Sequence, residues 1–195
     1  MKRLFDIIIS FLALVILLPV LIIISIWVLL GSKGGILYRQ RRVGKNNHDF
    51  TLLKFRTMYP GADTRGLLTV GERDPRISGA GYSLRRTKLD ELPQLINILA
   101  GDMSLVGPRP EVRKYVDLYT DEQLKVLNIR PGLTDNASLA YIDESEILAN
   151  SEDPEKTYIE TILPAKLELN LQYIRERSMG KDIGIIFRTI SGIFR

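Results

Sequence analysis

The sequence of 195 residues contains no cysteine and a single histidine, His48. The absence of cysteine excludes disulfide bonds, thiolate metal sites and a cysteine nucleophile. One histidine excludes a histidine-rich zinc site and argues against a Ser-His-Asp triad. Any catalysis must therefore use carboxylates, lysine, arginine or hydroxyl groups. The metal that suits oxygen ligands of this kind is a hard cation such as Mg²⁺.

Charged residues are also missing from Ile7 to Leu30, IIISFLALVILLPVLIIISIWVLL, a run of 24 residues. Such a run is long enough for a helix to span a bilayer. It is too long for the apolar part of a cleaved signal peptide, and no small-residue cleavage site follows it. The sequence therefore predicts a membrane segment over residues 1–31 and a separate domain over residues 32–195.

Basic residues flank this segment on both sides, with Lys2 and Arg3 before it and Lys33 and Arg39 after it. An excess of lysine and arginine keeps a flank in the cytoplasm. A straight span cannot keep both flanks there, whereas a re-entrant hairpin can. Pro19 could break the helix, because proline removes a backbone donor and clashes with the preceding turn. A single-pass anchor with a tolerated proline remains open as the alternative.

The rest of the chain predicts a mainly α-helical domain with short irregular or β segments. ILYRQRRVG and FTLLKFRTM are typical of short extended segments, and residues 59–82 have the Gly, Pro and Asp content of a loop. The acidic residues 143–160 predict an exposed loop and helix. Further helical patterns lie at 84–99, 111–118, 121–128 and 164–177.

The last segment, KDIGIIFRTISGIFR, predicts an amphipathic helix. Its apolar stripe comprises Ile183, Ile186, Phe187, Ile190, Ile193 and Phe194. Such a stripe usually packs on a protein core. Beside an N-terminal membrane segment, it could equally lie on lipid. The pattern alone leaves both interpretations open.

Positive charge is concentrated in the front of the chain. Residues 1–142 carry 20 Lys and Arg against 13 Asp and Glu, whereas residues 143–195 carry 7 against 10. This balance predicts an anionic partner: nucleic acid, phospholipid head groups or a phosphorylated substrate. A membrane-tethered nucleic-acid or scaffold protein is one hypothesis. Bulk charge explains arginines on rigid turns less specifically than phosphate binding does, so no nucleic-acid partner is expected.

The segment TKLDELPQL, residues 87–95, places Asp90 beside Glu91 in a basic stretch. If Pro93 opens a helix, both carboxylates lie just before the positive end of the helix dipole, which would lower their pKa values. Ionised carboxylates suit a nucleophile or a ligand of a cation. An adjacent acidic pair taken alone fits an exposed helix cap equally well.

Three arginines stand in stiff local sequence. Arg109 lies between two prolines in GPRP, Arg130 precedes a Pro-Gly turn, and Arg56 lies in KFRTM. A guanidinium on a rigid mount suits bidentate phosphate recognition better than a mobile lysine does. Each of these turns taken alone also fits an ordinary loop without a binding role. Their conjunction with the acidic pair and the membrane segment favours a phosphate site.

With these motifs together, the sequence resembles the bacterial sugar transferase family, and within it the small monotopic polyprenol-phosphate phosphoglycosyl transferases. The resemblance runs from the basic N terminus through YRQRRVG, LLKFRTM, LRRTKLDELPQLINILAGDMSLVGPRP and IRPGLT. It covers residues 1–134 and resumes weakly near residues 166–190. The long middle block is its most specific part.

The resemblance implies an activity and its partners. A sugar 1-phosphate would pass from a UDP-sugar to polyprenol phosphate, in particular undecaprenyl phosphate, with release of UMP. The reaction would open a lipid-linked glycan pathway, for an exopolysaccharide or a glycoconjugate, at the cytoplasmic face of the bacterial inner membrane. The resemblance also implies a monotopic protein held in lipid by a re-entrant helix broken at Pro19 and by interfacial amphipathic helices.

The same resemblance implies roles for six residues. Asp90 would be the nucleophile that forms a phosphosugar–aspartyl intermediate, and Glu91 together with Asp90 would hold Mg²⁺. The implied substrate-binding residues are Arg56, Arg85, Arg109 and Arg130. A membrane-associated, Mg²⁺-dependent nucleotide-sugar pyrophosphohydrolase using the same carboxylates is the rival hypothesis. The identity of the sugar and the existence of a homodimer are left open.

Three positions depart from the family pattern. Leu18 stands before Pro19 where many members have serine. The stretch DNASLAYIDE follows RPGLT in place of a Gly-Trp-Ala-Gln-Val type run. Asn170 stands in LELNLQYI where aspartate is usual, so that a hydrogen bond could survive there without the charge. The second departure predicts a different subgroup within the family.

Overall fold

The computed structural model describes residues 1–71 and 74–193, and its architecture is mainly helical, as the sequence predicts. Its ten α-helices are α1 (Lys2–Gly31), α2 (Gly79–Arg86), α3 (Gln94–Ala100), α4 (Arg113–Val116), α5 (Asp121–Leu124), α6 (Asn136–Ala140), α7 (Glu144–Ala149), α8 (Pro154–Thr157), α9 (Leu163–Glu176) and α10 (Met179–Ile193). Its four strands are β1 (Leu37–Val43), β2 (Asp49–Phe55), β3 (Ser104–Val106) and β4 (Gly132–Thr134).

The two extended segments predicted from the sequence form an antiparallel hairpin. Strand β1 pairs with β2 in a register that runs from Leu37 opposite Phe55 to Val43 opposite Asp49. The connection is tight because Asn46 takes a left-handed conformation, with φ 55°, which asparagine tolerates better than most residues. The hairpin therefore carries its basic side chains on a rigid ribbon.

The single helix predicted over residues 84–99 is wrong, because the chain breaks in its middle. Helix α2 ends at Arg86, Lys88 is left-handed with φ 56°, and a 3₁₀ turn covers Leu89–Glu91 before α3 begins. Pro93 lacks the amide that would bond the Leu89 carbonyl, and its ring would clash with that carbonyl in a continuous helix. The acidic pair consequently lies on a turn between two helices.

The two Pro-containing turns that carry Arg109 and Arg130 lie back to back. Strand β3 runs parallel to β4, and the Gly132 amide donates a hydrogen bond of 2.9 Å to the Pro108 carbonyl. A Cβ at Gly132 would lie only 2.1 Å from the Gly107 nitrogen. Glycine at both positions is thus required for the close approach that holds the two turns together.

Apolar side chains from all parts of the chain form the core. One cluster surrounds α9 and includes Leu163, Leu167, Tyr115 and Tyr158. A second surrounds α3 and β3 and includes Ile98, which is completely buried. The acidic stretch 143–160 contributes its own apolar residues to the first cluster, so it is a folded part of the domain with a charged outer surface.

Polar contacts attach the first turns of α1 to the rest of the chain. The buried Asp6 carboxylate accepts hydrogen bonds from the Ser104 hydroxyl (2.8 Å) and the Leu105 amide (3.3 Å). Arg3 donates to the Leu99 carbonyl at 3.2 Å. These contacts place the N-terminal end of α1 beside β3 and the far end of α3.

The last turns of α1 pack against the same body. Ile24 and Val28 are buried in an apolar cluster with Phe55 and Leu84. Pro19 lies inside this helix and does not divide it into two separate helices, while a bend at this proline stays a prediction. Both ends of α1 are therefore fixed to the domain formed by the rest of the chain.

The outer side of α1 exposes apolar side chains along its whole length. It is the one helix in the described part of the chain that is long and apolar enough to cross a membrane, by length and composition. The exposed large apolar residues between its ends include Ile8, Phe11, Leu12, Val15, Ile16, Ile22, Ile23, Ile26 and Trp27.

Helix α10 buries a different face from the predicted apolar stripe. Ile185 and Asp182 are buried, whereas Phe187 is 68% exposed and Ile190 is 50% exposed. Within the stripe, Ile186 packs partly against the core; the Ile193 side chain and Phe194 lie outside the described residues. The core-packing interpretation of the stripe is therefore wrong for its exposed members.

Candidate active site

The turn between α2 and α3 presents Asp90 and Glu91 from its 3₁₀ segment. Both side chains are buried, at 6% and 9% exposure. The left-handed Lys88 reverses the chain ahead of them, and the Glu91 amide bonds back to the Lys88 carbonyl at 3.2 Å. Two adjacent acids are thus held inside the protein surface, which excludes the simple exposed helix cap.

Glu91 is held by two cations. Nη1 of Arg109 donates to its Oε2 at 3.0 Å and Nη2 binds Oε1, a bidentate arrangement. Nζ of Lys54 lies 3.4 Å from Oε1. Burial acts to raise the pKa of Glu91, but the charges of Arg109 and Lys54 outweigh it and bring the pKa well below its usual range. Glu91 is consequently ionised.

Asp90 has a different environment from its neighbour. Its carboxylate accepts no hydrogen bond from residues 1–71 or 74–193. Burial and the charge of Glu91 raise the pKa of Asp90, while Lys54, Arg85 and Lys88 oppose that rise. The expected lowering of both pKa values is therefore right for Glu91 and wrong for Asp90. Asp90 is the carboxylate with oxygens free for chemistry.

Lys54 belongs to the site, although the sequence analysis did not select it. Burial lowers its pKa to about 8, against the opposing charge of Glu91. It extends from β2, whose neighbours Leu52 and Phe55 are buried. A lysine between the apolar residues Leu53 and Phe55 of a predicted strand was the available signal, because an unpaired charge is rarely placed in such a position.

Arg85 contributes to the site from the end of α2. Its guanidinium donates a hydrogen bond of 2.7 Å to the Thr69 hydroxyl, and its charge acts on Asp90. Arg76 organises the loop that carries Thr69, because it donates to the Gly66 carbonyl at 2.6 Å and pairs with Asp74. The loop predicted at residues 59–82 ends earlier than expected, because α2 begins at Gly79, and its Thr69 contacts Arg85.

The other two predicted substrate-binding arginines make no contact with the acidic pair. Arg130 donates to the Gly101 carbonyl at 2.8 Å, at the opposite end of α3. The Arg56 guanidinium lies against Gly34, after the C-terminal end of α1. The structure thus brings Arg85 and Arg109 to Asp90 and Glu91 and holds Arg56 and Arg130 elsewhere. Their binding roles remain predictions.

The oxygen ligands at this site fit Mg²⁺. This cation is often held by one or two carboxylates together with substrate phosphates and water. Asp90 offers two oxygens without partners, and Glu91 offers the lone pairs that Arg109 and Lys54 leave. The described residues contain no cluster of three or more metal-binding side chains, so an all-protein metal cage is not the mode that these residues support.

A family model described as bacterial sugar transferase matches residues 1–195. The chain belongs to the bacterial sugar transferase family. The UDP-N-acetylgalactosamine-undecaprenyl-phosphate N-acetylgalactosaminephosphotransferase of Aeromonas hydrophila is 33% identical over 98% of this chain and 43% of its own length. The UDP-glucose:undecaprenyl-phosphate glucose-1-phosphate transferase of Escherichia coli K12 is 35% identical over 97% of this chain and 39% of its own length.

A third relative is closer in length. The exopolysaccharide production protein ExoY of Sinorhizobium fredii is 32% identical over 98% of this chain and 84% of its own length. The chain spans less than half of each of the first two relatives. Those two are named for different sugars at nearly equal identity to this chain, so overall identity does not indicate the sugar.

Asn170, the departure from the family pattern in α9, is buried beside the site. It lines a small cavity with Arg109, Glu111 and Pro131. Its Oδ1 has no hydrogen-bond partner within the described ranges. The hydrogen bond that asparagine could have kept is therefore absent at this oxygen.

Asp135, in the stretch that departs from the family pattern, fixes the main chain of Arg109. Its buried carboxylate accepts from the Arg109 amide at 3.0 Å through Oδ2. Its Oδ1 accepts from the Ser138 amide at 2.6 Å, which caps α6. The charge of Asp135 also helps to raise the pKa of Arg109, after the larger effect of Glu91. The Asp135 side chain thus both caps α6 and positions the main chain of Arg109.

We expect Asp135→Ala to lower both stability and activity. The lost cap costs about 1 kcal/mol, and the unpaired Arg109 amide costs about 1–3 kcal/mol. Asp135→Ser is the matched control, because serine can cap α6 through its one oxygen but cannot also reach the Arg109 amide. It should restore much of the thermal stability and leave kcat reduced. Restoration of both by serine would show that Asp135 acts only as a cap.

Proposed function

We propose that this chain transfers a sugar 1-phosphate from a UDP-sugar to undecaprenyl phosphate, with release of UMP. The observation that carries the proposal is Asp90, a buried carboxylate with free oxygens, beside the Glu91–Arg109–Lys54 ion cluster. The names of two relatives, which describe transfer to undecaprenyl phosphate, support the choice of acceptor. Exopolysaccharide synthesis is the pathway class that the third relative suggests.

In the first step, an Oδ of ionised Asp90 attacks the β-phosphorus of the UDP-sugar. A new Asp90 O–P bond forms while the bond from that phosphorus to the bridging oxygen breaks. UMP leaves with the electron pair, and the sugar 1-phosphate stays on Asp90 as an acyl phosphate. The sugar phosphate therefore stays covalently bound to the protein until the second substrate binds.

In the second step, a phosphate oxygen of the polyprenol phosphate attacks the same phosphorus. The new P–O–P bond forms, the Asp90 O–P bond breaks, and the carboxylate recovers its electron pair. The two anionic substrates thus use one nucleophile in turn. This order removes the need to hold both of them at the site together.

Attack of a carboxylate on an anionic phosphorus meets electrostatic repulsion, which positive groups offset. Arg85 and Lys54 are placed to balance charge around Asp90, and Arg109 holds Glu91 in position. Mg²⁺, bound by Asp90 and Glu91 together with the donor diphosphate, would supply further positive charge at the phosphate oxygens. The protein residues bind and orient the substrates, while Asp90 carries the bond changes.

The proposal includes a monotopic arrangement at the cytoplasmic face of the bacterial inner membrane. A straight helix of 30 residues would extend about 45 Å, more than the roughly 30 Å hydrocarbon core. Because Asp6 near one end of α1 and Val28 near the other both contact the same domain, a re-entrant path accounts for the contacts. The exposed faces of α1 and α10 would lie in lipid and at its interface.

We expect single cysteines introduced near Met1 and near Ser32 to react with an impermeant thiol reagent from the same side of the membrane. The native chain has no cysteine, so each variant carries one reactive thiol and needs no background correction. Inside-out and right-side-out vesicles provide the comparison. Labelling of the two positions from opposite sides would establish a spanning helix and reject the re-entrant path.

The function is tested by a panel of UDP-sugars incubated with purified protein, Mg²⁺ and undecaprenyl phosphate. We expect UMP release that depends on the acceptor under multiple turnover, with one sugar preferred. A pyrophosphohydrolase would instead release UMP and free sugar phosphate continuously without acceptor. Absence of UMP release with every sugar, in protein shown to be folded, would reject the proposed activity.

A further inference from the structure

A cavity of about 780 Å³ lies between α1 and the domain. Its apolar walls include Leu14 and Leu21 of α1, Phe55 of β2, and Pro93 and Ile96 of the α3 segment. The volume lies within the range of small-molecule sites in proteins. Since α1 exposes apolar side chains on its other side, one wall of this cavity belongs to the helix that is placed in lipid under the proposed function.

Arg56 and Arg39 add positive charge to a lining whose other side chains are mostly apolar. The Arg56 guanidinium makes no hydrogen bond or ion pair with any residue in 1–71 or 74–193. Its donors are therefore available to an anion. An arginine without a protein partner on the wall of an apolar cavity matches a ligand with an anionic head and a hydrocarbon tail.

Gly34 sets the position of this guanidinium. A Cβ at Gly34 would lie 1.5 Å from Nη1 of Arg56, and Gly34 has φ 149°. At Gly35, by contrast, a Cβ would lie 3.7 Å from Nη2 of Arg56, an ordinary contact. A side chain at Gly34 would therefore displace the guanidinium from its present position, whereas one at Gly35 would not. The turn GSKGG, residues 31–35, thus forms a cradle for Arg56.

Two residues of the cavity wall lie close in the chain to residues of the ion cluster. Pro93 lines it two residues after Glu91, and Arg56 lines it two residues after Lys54. A phosphate bound by Arg56 would therefore enter from the side of the ion cluster on which α1 lies.

We propose that this cavity binds the phosphate-proximal isoprene units of the polyprenyl phosphate acceptor, with Arg56 in its Gly34 cradle binding the phosphate. The inference rests on the proposed function and adds the acceptor subsite to it. The bound segment is branched and apolar, which matches the aliphatic walls. Ordinary phospholipid, which shares the anionic head and apolar tail, is the competing occupant and is separated by the tests below.

The first test compares Gly34→Ala with Gly35→Ala in full-length protein in neutral nanodiscs. Two reactions are measured: exchange of labelled UMP into UDP-sugar, which needs no acceptor, and transfer to polyprenyl phosphate. We expect Gly34→Ala to raise the KM for the acceptor by at least about tenfold and to leave exchange within about twofold. Gly35→Ala should change neither. An unchanged acceptor KM in Gly34→Ala, with exchange intact, would overturn the subsite.

The second test fills the cavity without altering the glycine turn. Leu21→Trp places an indole in the cavity, whereas Ile22→Trp places it on the exposed face of α1, where Ile22 is already exposed. We expect only Leu21→Trp to raise the acceptor KM, again with exchange preserved. Equal effects of the two variants, or none in Leu21→Trp, would contradict the proposal. If the wild-type protein shows no exchange at all, the proposed function itself fails.

A third experiment distinguishes polyprenyl phosphate from ordinary phospholipid as the occupant of the cavity. Phosphatidylglycerol is added to the neutral nanodiscs at fixed polyprenyl phosphate. We expect no change in the acceptor KM of the wild-type protein, because the cavity selects the isoprenoid chain. If phosphatidylglycerol raises that KM in the wild type and not in Leu21→Trp, the cavity holds phospholipid and the acceptor assignment is wrong.

Discussion

Replacement of Asp90 with asparagine is expected to reduce sugar-phosphate transfer by more than about a thousandfold. The amide occupies the same volume but cannot provide the carboxylate electron pair for attack on phosphorus. Because Asp90 accepts no hydrogen bond from the described residues, its replacement removes no contact of that kind. The fold should therefore survive, and the loss should appear in kcat. The measurement is UMP release with undecaprenyl phosphate and the preferred UDP-sugar.

Asp117→Asn is the matched control for this variant. Asp117 is exposed, at 62% of its side-chain surface, and forms only a loose ion pair with Arg113 at 3.7 Å. Such surface pairs contribute little to stability, so activity and thermal stability should stay close to wild type. Near-normal UMP release by Asp90→Asn would show that another group carries the chemistry.

Replacement of Arg109 with alanine is the second change with a large expected effect. Glu91 would keep only Lys54 as a partner while remaining buried. Removal of one member of a buried pair costs about 3–5 kcal/mol, and we expect about 3 kcal/mol because the Arg109 side chain is 31% exposed. Activity should fall by about a hundredfold or more. Thermal unfolding in detergent and steady-state kinetics measure the two effects.

Two companion variants sharpen this result. Arg113→Ala removes an arginine from an exposed ion pair with Asp49, so it should change stability by less than about 1 kcal/mol and leave kcat unaltered. Arg109→Lys keeps the charge and loses the bidentate geometry, so it should recover part of the stability and little of the activity. Full activity in Arg109→Lys would mean that charge alone, and not the guanidinium geometry, is required.

The sequence predicted the parts of the fold that depend on local pattern. The hairpin follows from extended segments rich in β-branched and aromatic residues, and the long apolar helix follows from an uncharged run. The break at Lys88 was missed because helical periodicity in residues 84–99 continues through it. Pro93 and the left-handed Lys88 override that periodicity, and the acidic pair therefore lies on a buried turn between α2 and α3.

The ion cluster was predicted in part. Arg109 and Arg85 were selected from their motifs, and the structure brings both to Asp90 and Glu91. Lys54 was missed because its partner Glu91 is 37 residues away in the chain, and no local pattern reports such a pairing. The sequence also could not predict that the pKa values of Asp90 and Glu91 shift in opposite directions. These shifts depend on which of the two carboxylates Arg109 contacts.

The exposed apolar surface of α10 was likewise predicted only in part. Amphipathic periodicity correctly placed a helix near the C terminus, at α10. It could not decide which side packs on the core, because Ile185 and Ile186 are equally apolar. The Tyr173 hydroxyl donates a hydrogen bond of 2.6 Å to the buried Asp182 carboxylate. This tertiary contact fixes which side of α10 faces the core. The exposed Phe187 and Ile190 follow from that choice.

The central claim is that Asp90 forms a covalent bond to the phosphosugar. It is tested most directly by mass spectrometry of protein incubated with the preferred UDP-sugar and Mg²⁺ in the absence of acceptor. Tryptic cleavage after Lys88 and Arg113 isolates the peptide that contains Asp90. The account predicts that this peptide gains the mass of one sugar phosphate and loses it when undecaprenyl phosphate is added. Turnover by a protein whose peptide is never modified under these conditions, or modification that persists in Asp90→Asn, would contradict it.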